Sequence, residues 1–129
     1  MKYYIETTIE TDFDSAVEKV KEELKKEGFG VLSEIDIHEK LKEKLDVDFR
    51  KYKILGACNP PNAFEALKAE EHIGLMLPCN VVVQESSQPG KIMVSAIDPV
   101  ASMMAVDNSS IEPIAHLIKD KLARAIEQL

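Results

Sequence analysis

Two strand-length apolar runs joined by a turn constrain this chain more than any other feature. Gly74–Gln84 and Lys91–Asp98 flank Ser86-Ser87-Gln88-Pro89-Gly90, a cluster of turn formers, and the pattern predicts a β-hairpin. Three other stretches read as strands. Lys2–Ile9 places Tyr3, Ile5, Thr7 and Ile9 on one face, and Phe29–Ile35 turns Phe29, Val31 and Ile35 inward. Arg50–Cys58 alternates with Tyr52, Ile54 and Cys58 together, read here as the covered side.

Helices fit between them. Thr11 and Asp14 have capping-box spacing ahead of Phe13, Val17, Val20 and Leu24, and Gly28 is a natural stop. Asp36 and Glu39 open a short charged helix with Ile37, Leu41 and Leu45 on its buried edge. Asn59 suits an N-cap and Pro60 a first helical position, with Ala63, Phe64 and Leu67 as the apolar side. Ser109 and Glu112 open the last helix, whose stripe is Ile111, Ile114, Ala115, Ile118, Leu122 and Ile126.

This order predicts a single α+β domain over residues 1–129, a mainly antiparallel sheet of about five strands with helices packed on one face. The other face would carry Tyr4, Leu32, Leu55, Met76, Val82, Met93 and Ile97 among Lys53, Asn80 and Ser95. That is too apolar for a fully solvated surface, so a second subunit or a ligand is expected there.

Charge narrows the partners. Sixteen basic against 23 acidic residues give a net charge of −7, which disfavours nucleic acid and anionic membrane surfaces. The N-terminal MKYYIETTIE lacks the apolar core of a signal peptide, and no apolar run has membrane length. A cytoplasmic protein with reduced thiols is the expectation.

The chemistry-bearing residues gather in CNPPNAFEALKAEEHIGLMLPCN, where each of the two cysteines precedes an asparagine. Cys58 either continues the Tyr52–Ile54 face as a small buried residue, the more ordinary reading, or feels the positive end of a helix dipole, which favours thiolate. Cys79, among Leu75, Leu77, Val81 and Val83, reads as core. Pro78 within an apolar strand implies an edge or a bulge. Asn59 has a capping role, whereas nothing ordinary explains Asn80 in a strand. His38 and His116 read as solvated residues on polar helix faces, and His72 sits in a loop after Glu70 and Glu71. Met103-Met104 reads as filler more readily than as thioether ligands.

Gly28-Phe29-Gly30-Val31, Tyr52-Lys53-Ile54-Leu55-Gly56-Ala57-Cys58-Asn59-Pro60, Ile73–Val83 and Asp98-Pro99 near Met103 together resemble the domain-of-unknown-function 302 family. The resemblance implies a TATA-binding-protein-like α+β fold, with no DNA-binding consequence. It also marks Cys58, Asn59, Pro60, Pro78, Cys79 and Asn80 as the positions matching its motif.

Three functional readings follow. The leading one is a homodimeric binding domain whose Cys58–Asn59–Cys79–Asn80 pocket takes a small molecule or a soft metal such as copper(I). A second is a thiol-dependent enzyme using Cys58, with Cys79 resolving or His72 as base. The third is a structural or interaction domain that pairs through its second sheet face.

Overall fold

The computed structural model describes residues 2–129. Five strands form one antiparallel sheet in the order β1-β5-β4-β3-β2, with β1 Tyr4–Glu10, β2 Gly30–Asp36, β3 Tyr52–Cys58, β4 Cys79–Glu85 and β5 Lys91–Ile97. Helices α1 (Phe13–Lys26) and α5 (Ile111–Glu127) cover one face. Three shorter helices, α2 (Ile37–Leu45), α3 (Pro60–Ala69) and α4 (Pro99–Ser102), fill the connections. The α+β class, the antiparallel sheet and the one-sided helix layer follow the sequence reading.

The main core lies between that layer and the sheet. Val20 and Leu24 of α1 and Leu122 of α5 meet Leu55, Val81, Val83 and Val94, all fully buried. A smaller cluster of Ala66, Ile73, Met103, Ile111 and Ala115 seals α3 and α4 against α5. Met103 is thus core, while Met104 is exposed, which leaves no thioether pair.

Helix ends show what sets the boundaries. Asp12, one residue after the expected Thr11, caps α1: its carboxylate accepts the Ser15 N–H and the Ser15 hydroxyl, both at 2.8 Å. At the other end Gly28, at φ +86°, donates to the Lys25 carbonyl while Phe29 N–H reaches the Leu24 carbonyl. This is a Schellman motif, with Phe29 and Leu24 buried together. The N-cap position of the last helix falls at Ser110 rather than Ser109, and its side chain makes no capping bond. Asn108 precedes it, accepting from Ser110 N–H at 3.0 Å and donating to the Ala69 carbonyl at 2.8 Å.

Five further expectations are corrected. In β3 the covered residues are Leu55 and Ala57, because they pair with Val81 and Cys79, whose side chains face the core. Tyr52, Ile54 and Cys58 therefore take the helix-free face. A bulge at Leu32, between Val31 and Ser33, sends Ile35 outward as well. On α3 the buried residue is the small Ala66, leaving Phe64 and Leu67 60% and 48% exposed, and α2 buries none of its residues. Finally, β4 starts only at Cys79. The preceding Ile73–Met76 is a 3₁₀ turn, and Pro78, after a cis Leu77–Pro78 bond, lies just outside the strand.

Candidate functional site

Alternation along the strands defines the open face. One row crosses the whole sheet as Glu6, Ser95, Val82, Ile54 and Ile35, directly opposed strand by strand. The next row is Thr8, Met93, Gln84 and Tyr52. Such rows place polar and apolar groups side by side on a rigid surface, since each Cβ is fixed by the ladder beneath it.

No helix covers these rows, and Glu6, Ser95, Val82, Met93, Gln84 and Tyr52 among them line a groove of about 330 Å³. Its lining includes Tyr3, Tyr4, Tyr52, Asn80, Gln84 and Ser95, with Glu6 the charged member. The chain has three tyrosines, and all of them line this groove. Tyr3 and Tyr4 meet edge to face with ring centres 5.1 Å apart.

Gln84 is held in place. Its Oε1 accepts from Arg50 Nε at 3.0 Å, and the guanidinium rests 4.3 Å from the Phe49 ring centre and 5.7 Å from that of Tyr52. With its oxygen engaged, Gln84 offers its amide N–H groups. Asn80 is exposed opposite Gly56. A Cβ at Gly56 would collide with Ser33 Oγ and come within 2.8 Å of Pro78 Cγ, so Ser33 and Pro78 occupy the space that a side chain would need. Pro78 thereby packs beside the start of the groove and does not line it.

The sequence-based candidates divide. Asn80 belongs to the groove, and Cys58 lies half-buried at the end of β3 on the same face. Cys79 points the other way, is 4% exposed and sits in the main core. Burial, aided by the neighbouring Cys58, pushes its thiol up to about 11, so it is protonated and inert near neutral pH. Asn59 occupies the N-cap position of α3, yet its side chain does not cap. It donates to the Glu27 carbonyl at 3.2 Å and accepts from Asn62 at 3.0 Å, clasping the α1–β2 turn. Pro60 begins α3 at the surface, on the helix-covered side beside Phe29 and Val31.

The four Cys and Asn residues therefore do not converge on one pocket. Among the described residues no group of three or more His, Cys, Asp and Glu side chains is placed to hold a metal. His72 is exposed beside Glu71, and His116 is exposed beside Glu112. His38 is not a solvated residue: its Nδ1 accepts from Tyr52 N–H at 3.0 Å and fixes the start of β3. Tyr52 and Gln84 were not singled out by sequence. The signal that finds them is the strand register, which puts Tyr4, Tyr52 and Gln84 on one face.

A five-stranded antiparallel sheet with one helix-covered face and one tyrosine-lined face defines an open-faced α+β domain. The chain belongs to DUF302, a domain of unknown function whose family model matches residues 5–129. An uncharacterized conserved DUF302 protein from Bacillus stearothermophilus, solved by crystallography, superposes with a TM-score of 0.90 at 29% identity, over 99% of this chain and 98% of that one. None of the curated proteins matches the chain. No helix among the described residues is long and apolar enough to cross a membrane.

Proposed function

We propose that this protein is a small-molecule binding domain that holds a flat, neutral, polar-edged ring against the open face of its sheet. The observation carrying this reading is the convergence of all three tyrosines on one groove that also contains Asn80, Gln84 and Ser95. Tyrosine offers a large apolar body with a polar tip, and amides on rigid strands supply directional donors and acceptors. In this reading the ring lies at the Tyr4 end of the groove, with Tyr4 beside it and Asn80 recognising its edge, while Tyr52 and Gln84 close the far end. Glu6 and the net charge of −7 set the groove against anions, nucleic acid included.

Cys58 stands at the margin of this surface as a half-buried thiol in a protein suited to a reducing, cytoplasmic setting. A soft metal held by two thiolates fits less well, because Cys79 faces the core as a neutral thiol. The same burial denies Cys79 a role in resolving a Cys58-centred reaction.

Calorimetric and NMR titration of the reduced protein with adenine, nicotinamide and benzoate tests the proposal. Adenine and nicotinamide are expected to bind and to shift the ring signals of Tyr4, with benzoate weaker. Asn80→Ala should lower affinity by about fivefold, the equivalent of one ordinary hydrogen bond. If no probe perturbs the tyrosine rings at millimolar concentration, or if Asn80→Ala binds as tightly as wild type, the reading fails.

A further inference from the structure

We infer that the free edge of the sheet at β1 pairs with β1 of a second copy, antiparallel about a two-fold axis at Thr7, joining two five-stranded sheets into one. This rests on strand chemistry and is independent of what the groove binds.

The two edges of the sheet differ. Edge strand β2 is broken by the bulge at Leu32, and Glu34 and Asp36 are engaged by Lys21 and Lys53. Bulges and charges of this kind blunt an edge. Edge strand β1 carries the exposed Glu6 and Glu10, the latter 3.8 Å from Lys91, but no bulge breaks it. Its seven residues keep unbroken register with β5 from Tyr4 opposite Ile97 to Glu10 opposite Lys91, without proline or bulge. Its outer side has no strand partner among the described residues. A regular row of free N–H and C=O groups is a template for another strand.

The side chains select both partner and register. A two-fold join that keeps the two helix layers on one side must pair residues that share a face. Centred on Thr7, it sets Ile5 opposite Ile9 of the second copy, Glu6 opposite Thr8, and Tyr4 opposite Glu10. Centred on Glu6 it would put Glu6 against itself, and centred on Thr8 it would put Glu6 against Glu10 twice. Like charges directly opposed are destabilising, so the Thr7 register is the favoured one. It also extends the core, since the half-buried Ile5 and Ile9 already pack against the main cluster and would gain each other as neighbours.

Pairing here would reach the groove. Tyr4 and Glu6 line it from β1, and Thr8 and Glu10 of the second copy would stand beside them. Two grooves would then run on across the join. Because each copy carries a net charge of −7, screening by salt should strengthen the dimer.

Sedimentation equilibrium on the reduced full chain at about 50 and about 300 mM NaCl tests this, with Thr8→Glu and Thr8→Lys as variants. Thr8 is exposed, so both variants should keep wild-type melting temperatures. The expected result is a dimer that tightens with salt, weakens about tenfold in Thr8→Glu and tightens in Thr8→Lys, each change acting twice across the axis. Hydrogen exchange should protect β1 amides more as concentration rises. A monomer at millimolar concentration, a dimer indifferent to both variants, or a dimer weakened by Thr8→Lys would overturn the inference.

Discussion

The two faces of this sheet come from the same strands, one residue out of step, yet they obey different rules. Toward α1 and α5, Leu55, Val81, Val83 and Val94 are fully shielded and meet other apolar groups. Toward solvent, their immediate neighbours Ile54, Val82, Gln84, Met93 and Ser95 are half-buried and alternate apolar with polar. Shielding makes the first face expensive to alter. Partial exposure makes the second cheap in stability, and so free to carry recognition. The step from Leu55 to Ile54 crosses from one regime to the other.

Substitutions on the two faces should separate accordingly. Leu55→Ala should cost about 3 kcal/mol in urea unfolding, against at most about 1 for Val82→Ala on the open side. Equal losses would erase the distinction. The next effect is confined to the covered face and depends on pH. Because burial raises the Cys79 thiol from its ordinary value near 9.0 to about 11, the folded state holds that proton more tightly than the unfolded chain. Stability is therefore intact below pH 9 and falls as pH rises toward 11, by about 2–3 kcal/mol, and Cys79→Ala should flatten that part of the profile.

Asn59→Ala, which frees the Glu27 carbonyl and Asn62, should cost about 1–2 kcal/mol on thermal or urea melting without touching the groove. Smallest is Asn80→Ala, expected within about 0.5 kcal/mol of wild-type stability. Any larger stability loss there would show Asn80 to be a folding residue and not a binding one.

The hairpin shows where sequence is readable. In β4 and β5 Val81, Val83, Ile92 and Val94 fall on one face, with the polar Asn80, Gln84 and Ser95 on the other, and the faces follow directly. In β3 both parities are apolar, Tyr52 and Ile54 against Leu55 and Ala57, and the tie is broken only by the cross-strand partners Val81 and Cys79. Gly56 could not break it either, since what fills its missing side chain, Ser33 and Pro78, comes from two other segments. The same limit hid the face of α3, where one small alanine is core and two large residues are not. Of the candidate site, Asn80 was legible because no local rule accounted for it. Tyr52 and Gln84 were not, because their significance lies in which strands lie beside them.

The convergence of tyrosines has a spectroscopic consequence. The chain has no tryptophan, so its absorbance and emission near 280–310 nm arise almost wholly from Tyr3, Tyr4 and Tyr52. Nearly all the near-ultraviolet light the protein returns therefore comes from the walls of one groove. The molecule carries its own label at the surface in question, and occupancy by an absorbing or quenching ring can be followed on the unmodified chain.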